Sequence, residues 1–472
     1  MSSNTLFNPE RYQHQRQLME DGGARPGEVF WTEATRDIMA RVIVHGVPNR
    51  FSHWTFGERY LRMLQSSGRL YEFVVWGNAI EAYIDDTLSP AEAHMIAAHV
   101  LGHADCMRNN FRFNPQYRLE PEDWMRHAQW IDGNTPETTK NVAEYSDRYL
   151  HKKDLEKETA GKDWLIHVFP ARELLEEYNA LDLMMTVSVA SHPPWERMQS
   201  PTLPPWAKRP TPWDTTPPEA ARDDALTTMH RTTWANVDTL DILKAFARPQ
   251  GVRELAGIFQ EEEDYFHVLK STKLINEGWA TYWHHRVGGT EGTEQDVWEQ
   301  ASLRSGVELP GMINPYWLGS ELFRLVEEAG DDPRWLMEHC DDASFLQYAL
   351  TPERLDALEI VPLLVKSGRD PDGDPAWEWY HDTIDPDVAV QRVIDHWSIG
   401  KEGIGTPILR WVSPKEVAVE GVWGIPEIYP DAPMAVDPLW FFSLATLLGR
   451  TLTVRLPKTI LWHHQSTDHP VS

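Results

Sequence analysis

A run of nine prolines between Pro193 and Pro218 constrains the fold of this chain more than any other feature of its sequence. Proline lacks a backbone N–H and fixes φ, so neither a helix nor a central strand can pass through a segment of this density. The run therefore predicts a long extended loop over residues 192–220. The tryptophans within it indicate that the loop lies against another part of the protein.

The N-terminal and C-terminal parts of the chain differ in their sequence patterns. The chain has 472 residues, which is more than one compact unit usually holds. Residues 1–357 combine helical periodicity, including a helical prediction over residues 140–190, with a short strand at "RLYEFVVWG". Beyond a turn-rich break at "SGRDPDGDPAW", strand-like segments such as "TPILRWV" and "RTLTVRLP" alternate with short helices. We therefore predict a mainly α fold with a minor β component (α+β), made of a helical domain over residues 1–357 and a small α/β C-terminal module over residues 358–472.

The composition excludes several classes of protein. Lys and Arg number 44 against 72 Asp and Glu, a formal net charge of −28, which disfavours nucleic acid and anionic membrane surfaces as ligands. Two cysteines cannot build a disulfide framework or a cysteine zinc site. The N-terminus does not resemble a signal peptide, and no apolar stretch approaches the roughly 20 residues of a membrane span. We expect a soluble, cytoplasmic protein.

The segment "SPAEAHMIAAHVLGHADCMRNN" predicts a helix from Pro90 to about Arg108. Ser89 is a good N-cap, proline occupies the first helical position, and Glu92 completes a capping box. His99 and His103 are four residues apart and therefore share one face of this helix. Two such imidazoles can bind one cation. The alternative is a pair of partly buried histidines with ordinary hydrogen bonds.

The segment "LINEGWATYWHHRV" offers the anionic ligand that such a pair needs. Glu277 lies on a predicted helix with His284 on the same face, and Gly278 beside it would allow another backbone or a ligand to approach closely. Two histidines and one carboxylate suit Zn²⁺ in a hydrolase and equally a non-heme Fe(II) centre.

A proton-transfer group must come from elsewhere in the chain. "NEGWATY" looks like the segment that supplies the third zinc ligand in gluzincin metallopeptidases. Those enzymes carry HExxH, whose glutamate is the general base, whereas Val100 occupies that position here. Glu277 also follows His103 by 174 residues, far more than is typical of gluzincins. The remaining candidates are Glu72, Asp105, Glu262, Glu263 and His284.

Six ordered motifs resemble the SpoVR family, the stage V sporulation protein R group. They are "FSHWTFGERY", "LYEFVV", "AAHVLGHADCMRNN", "KLINEGWATYWH", "INPYWLGSELF" and "SFLQYALTPE". The resemblance implies a link with spore cortex formation in spore-forming bacteria. It also implies a genomic association with a PrkA-type serine kinase and a von Willebrand-like protein. The C-terminal module matches the family poorly.

Together these patterns predict a metal-dependent hydrolase acting on an amide or peptide-like bond, with zincin-like metal-site helices. His99, His103 and Glu277 would bind a divalent metal, Zn²⁺ in the first instance with Fe(II) or Mn as alternatives, and Glu72 and His284 would transfer protons. The substrate would be peptide-like or a small molecule. The alternative is a non-catalytic, metal-stabilised interaction protein that serves the kinase and the von Willebrand-like partner.

Overall fold

The computed structural model describes most of the chain. The described residues are 9–45, 71–135, 155–160, 163–171, 174–175, 179–188, 237–248, 250–287, 314–359, 364–369, 375–380, 386–398, 406–423, 434–458 and 460–462. The predicted loop at 192–220 and the first of the six motifs, residues 51–60, lie outside them.

Helices make up most of the described structure, which confirms the predicted fold class. They are α1 (Pro9–Asp21), α2 (Arg36–His45), α3 (Pro90–Asn109), α4 (Pro121–Asn134), α5 (Asn179–Ser188), α6 (Thr239–Phe246), α7 (Gln250–Ser271), α8 (Lys273–Val287), α9 (Pro315–Glu328), α10 (Pro333–His339), α11 (Asp342–Ala349), α12 (Pro352–Ala357), α13 (Pro386–Ser398) and α14 (Pro438–Leu448).

The minor β component forms small sheets. The strands are β1 (Val29–Ala34), β2 (Glu72–Trp76), β3 (Ile80–Asp85), β4 (Leu155–Ala160), β5 (Asp163–Val168), β6 (Leu364–Arg369), β7 (Pro375–Tyr380), β8 (Thr406–Ser413), β9 (Glu416–Trp423), β10 (Met434–Val436), β11 (Leu452–Pro457) and β12 (Ile460–Trp462). The first sheet has the order β1-β3-β2, with β1 parallel and β2 antiparallel to β3. The largest has the order β4-β5-β11-β9-β8.

The largest sheet corrects one prediction from the sequence. The sequence predicts helix over residues 140–190, and α5 (Asn179–Ser188) is helical, but β4 and β5 form an antiparallel pair within this range. The many charged residues favour a helix locally, whereas the pairing of β5 with β4 and with the distant β11 stabilises strands. Strand preference depends on such neighbours more than helix preference does. The turn-rich break at "SGRDPDGDPAW" overlaps two strands, because its first and last residues belong to the antiparallel pair of β6 and β7.

The described residues form two hydrophobic cores. One contains the buried faces of α3, α8 and α9 and extends to Val393 on α13. The other contains α14 and the largest sheet and extends to Ile131 on α4. Each core thus includes residues from both sides of the predicted boundary at 357/358, which itself stays a prediction. Among the described residues, no helix is both long and apolar enough to cross a membrane.

Candidate metal centre

Helix α3 begins where its capping signals predict. The Ser89 side chain accepts a hydrogen bond from the Glu92 backbone N–H, and the Glu92 carboxylate accepts one from the Ser89 N–H. The helix is buried on all sides from Ala91 to Met107 apart from His94 and Glu92, as expected of a helix in the centre of a core. His99 and His103 are therefore only 3% and 6% exposed.

Helix α8 is fixed at its first turn by a carboxylate from another helix. Asp342 on α11 accepts hydrogen bonds from the backbone N–H groups of Leu274 and Ile275, both at 2.9 Å. These N–H groups have no partner within their own helix. The bonds therefore set the position of the turn that carries Asn276 and Glu277.

Two glycine contacts bring the three central helices unusually close together. A Cβ atom at Gly102 on α3 would lie 2.5 Å from the Cα of Ala280 on α8, and a Cβ at Gly278 would lie 2.5 Å from the Cα of Gly319 on α9. Real Cβ atoms do not approach that closely. Gly102 adjoins His103 and Ala280 is three residues beyond Glu277, so this crossing brings the two helices' polar groups together.

The crossing brings together the residues that the sequence predicted as metal ligands. Glu277 Oε2 lies 3.4 Å from His103 Nε2 and 3.7 Å from His99 Nε2. Ligands bound tetrahedrally to zinc at roughly 2.0–2.2 Å are separated from one another by about 3.3–3.6 Å. The observed separations are close to this range.

Glu72, predicted as a proton-transfer group, joins the same cluster from strand β2. Its Oε1 lies 3.7 Å from His99 Nε2. Ligand atoms of Glu72, His99 and His103 all lie within 4.8 Å of one another and could hold a metal ion. The side chains of Glu72 and Glu277 are 15% and 18% exposed, so solvent reaches the cluster from the carboxylate side.

The proton on His103 is assigned by its neighbour Asn276. His103 Nδ1 is 3.0 Å from Asn276 Oδ1, which can only accept, so Nδ1 donates. Burial lowers the pKa of His103 to about 4, although Glu277 acts in the opposite direction. The imidazole is therefore neutral, and the lone pair on Nε2 faces the Glu277 carboxylate.

The two carboxylates have different electrostatic surroundings. Burial raises the pKa of Glu72 more than His99 lowers it, and the charge of Glu277 adds to the increase. Burial would also raise the pKa of Glu277, but His103 and His99 together lower it below its usual value. Such a divergence is typical of a site in which one carboxyl group stays ionised and the other exchanges a proton.

His284 lies on the inner side of the cluster. It is 1% exposed, and its ring meets that of His99 edge to face, with 5.8 Å between the centroids. His284 thus lies beside the cluster, as its position on the same face of α8 as Glu277 predicts. Its burial puts it further from solvent than either carboxylate.

Three other candidates for proton transfer are engaged with different partners. Asp105 is fully buried and accepts hydrogen bonds from Trp279 Nε1 at 2.9 Å and from Arg334. The bond from Trp279 connects α8 to Asp105 on α3. Glu262 Oε1 lies 3.4 Å from His127 Nδ1, and Glu263 Oε2 lies 3.9 Å from Lys270 Nζ.

Sequence reasoning missed two residues of the site. Asn276 was not considered, although it directly precedes Glu277 in "INEGW". Tyr316 on α9 stacks on His99, with 5.9 Å between the ring centroids and 30° between the planes. The signal that could have identified Tyr316 is its place in the motif "INPYWLGSELF".

Asn276→Ala is expected to weaken zinc binding about 10–100-fold without unfolding the protein. The substitution removes the acceptor that keeps the His103 proton on Nδ1 and the Nε2 lone pair toward Glu277. A zinc titration in competition with a chelator measures the effect. Asn276→Asp retains an acceptor oxygen and is the matched control, which should bind zinc more tightly than the alanine variant. Equal affinity in the wild type and Asn276→Ala would contradict the assignment.

Comparison with known proteins identifies relatives of the chain. The sequence model of the family described as SpoVR like protein matches residues 28–149 and 208–359. The matched segments include β2, α3, α8 and α9 and hence all the clustered side chains. A curated relative is the uncharacterized protein YcgB of Escherichia coli strain K12, which is 22% identical over 330 residues. That alignment covers 65% of this chain and 60% of YcgB, so the chain spans less than two thirds of its relative. No solved structure shows significant similarity to the chain.

Proposed function

This chain belongs to the SpoVR family, and we propose that it is a metal-dependent hydrolase acting on an amide or peptide-like bond. His99, His103 and Glu277 bind the metal in this proposal, Glu72 is the general base, and His284 assists proton transfer. The family name and the YcgB relative assign no reaction, so the proposal rests on the side chains of the site.

One observation supports a metal above all others. His103 Nε2 and Glu277 Oε2 lie 3.4 Å apart, and the hydrogen bond to Asn276 leaves no proton on Nε2. Two electron-rich atoms at this distance in a buried site repel each other, and a metal ion bound between them would remove that repulsion. Neither His99 Nε2 nor Glu277 Oε2 has a hydrogen-bond partner among the described residues, and a buried polar atom normally has one.

The ligand set favours Zn²⁺. Two imidazoles and one carboxylate form a common catalytic zinc site with an open position, while Fe(II) and Mn are the alternatives. A zinc ion held by these residues would lower the pKa of a water molecule toward neutrality and would polarise a carbonyl oxygen.

The surrounding residues supply the proton transfers of hydrolysis. Glu72 lies at the solvent side of the cluster, where it can accept the proton of an attacking water molecule. A carboxyl group whose pKa is raised is better matched to this role near neutral pH than an ordinary one. The same proton can then pass to the leaving nitrogen, directly or through His284.

The test is a cleavage assay on the intact protein. Zinc-loaded wild-type protein is incubated with a library of internally quenched peptides, and the assay is repeated after chelation and after zinc is restored. We expect cleavage that chelation abolishes and zinc restores, and none from His99→Ala, which should remain folded by circular dichroism.

The alternative function predicts a different pattern in the same experiment. A non-catalytic, metal-stabilised interaction protein would bind zinc and lose thermal stability on His99→Ala, but the wild type would cleave no peptide. A PrkA-type serine kinase and a von Willebrand-like protein are the partners proposed under that reading. Cleavage that is independent of zinc would contradict both readings.

A further inference from the structure

Tyr316 is delivered to the site by a helix that carries none of the proposed ligands. Helix α9 begins at Pro315, and the side chain of Asn314 accepts hydrogen bonds from the backbone N–H groups of Tyr316 and Trp317 at 3.1 and 3.5 Å. Gly319, three residues further on, packs against Gly278 of α8. Residues three apart share a helix face, so the face that meets α8 also presents Tyr316.

The Tyr316 ring lies against the cluster. It stacks on His99, and the charges of Glu277 and Glu72 act on its hydroxyl. A phenol keeps its proton at neutral pH, because its ordinary pKa is about 10. Tyr316 is therefore a neutral hydrogen-bond donor beside the proposed metal ligands.

The proposed hydrolysis needs such a donor. When water attacks an amide carbonyl, the oxygen becomes an oxyanion, and a donor aimed at that oxygen stabilises the transition state. His103 accepts through Nε2, and Asn276, whose Oδ1 accepts from His103, is buried. Thr281 carries a hydroxyl on the same face of α8, but it is fully buried. Tyr316 is only partly buried and can therefore reach a substrate.

We propose that Tyr316 is a catalytic residue whose hydroxyl donates a hydrogen bond to the substrate oxyanion. The inference rests on the proposed function. The water oxygen forms a bond to the carbonyl carbon, one water proton passes to Glu72, and the carbonyl π electrons move to the oxygen that accepts from Tyr316. The C–N bond then breaks, the oxyanion electrons re-form the carbonyl, and the proton from Glu72 passes to the departing nitrogen. Tyr316 keeps its own proton throughout.

Tyr316→Phe tests the proposal because it removes the hydroxyl and retains the ring that stacks on His99. We expect zinc content and thermal stability close to wild type, a kcat lower by about 10²–10³-fold and a KM that changes little. Tyr282→Phe is the matched control. Tyr282 lies on α8, but its hydroxyl accepts a hydrogen bond from Arg286 at 2.6 Å, so its loss should leave hydrolysis unchanged.

A second readout does not depend on hydrolysis. Acetohydroxamate presents a charged oxygen to an open zinc position, and its affinity for the zinc-loaded proteins can be measured by calorimetry. We expect Tyr316→Phe to bind it about tenfold or more weakly than the wild type and Tyr282→Phe.

The outcomes separate this proposal from the function on which it rests. Wild-type protein that binds zinc and acetohydroxamate but cleaves no peptide would contradict the hydrolase alone, and Tyr316 would stand as a donor to anions at the metal. Equal acetohydroxamate binding by the wild type and Tyr316→Phe, or loss of zinc in Tyr316→Phe, would overturn the role of Tyr316.

Discussion

Glu72→Gln is expected to lower kcat by about 10²–10⁴-fold while the protein still binds zinc. The amide cannot accept the proton of an attacking water molecule, but it has nearly the shape of the carboxylate. Peptide cleavage and zinc content are measured on the same sample. A variant that keeps its metal and loses its activity would identify Glu72 as the base.

Glu277→Gln is the matched control for that substitution. The same chemical change at Glu277 removes the anionic ligand that lies against both imidazoles, so zinc itself should be lost. If Glu72→Gln loses zinc as completely as Glu277→Gln, Glu72 is a ligand rather than a base. The carboxylate of Glu72 lies close enough to His99 and His103 to bind a metal with them, so the zinc content of Glu72→Gln distinguishes the two roles.

Gly102→Ala is expected to destabilise the protein by about 1–3 kcal/mol or more and to reduce zinc affinity. The added methyl group would lie 2.5 Å from the Cα of Ala280, which is backbone and cannot turn aside. The helices α3 and α8 must separate, and His103 then moves away from Glu277. Chemical denaturation and zinc titration measure the two effects.

Gly257→Ala provides the control for this change in an α-helix. Gly257 lies within α7, and the nearest atom to an added Cβ is the end of the Lys244 side chain at 4.0 Å. Alanine has the higher helix propensity, so stability should rise by up to about 1 kcal/mol. A Gly102→Ala variant that behaved like Gly257→Ala would show that the close helix crossing is not required.

Local signals made α3 predictable from the sequence. Ser89, Pro90 and Glu92 are capping signals that define its start. The four-residue spacing of His99 and His103 puts both side chains on one face of the helix. Strands β4 and β5 were not predictable in this way because β11, which pairs with β5, lies near the other end of the chain. Strands that depend on distant partners leave a weak local pattern.

The side chains that meet in the candidate site could be predicted from the sequence, but their electrostatic surroundings could not. His99 and His103 follow from spacing, and Glu277 follows from its motif. The opposite pKa shifts of Glu72 and Glu277 arise from burial and from charges that meet only after folding. The position of Tyr316 beside His99 depends on the packing of Gly319 against Gly278, which forms only when the chain folds.

The central claim is that His99, His103 and Glu277 hold one metal ion, and elemental analysis after equilibrium dialysis against zinc tests it most directly. We predict one zinc per chain for the wild type and strongly substoichiometric zinc for Glu277→Gln and His99→Ala, with all three proteins folded by circular dichroism. Wild-type protein without zinc, or variants that retain as much zinc as the wild type, would contradict the claim.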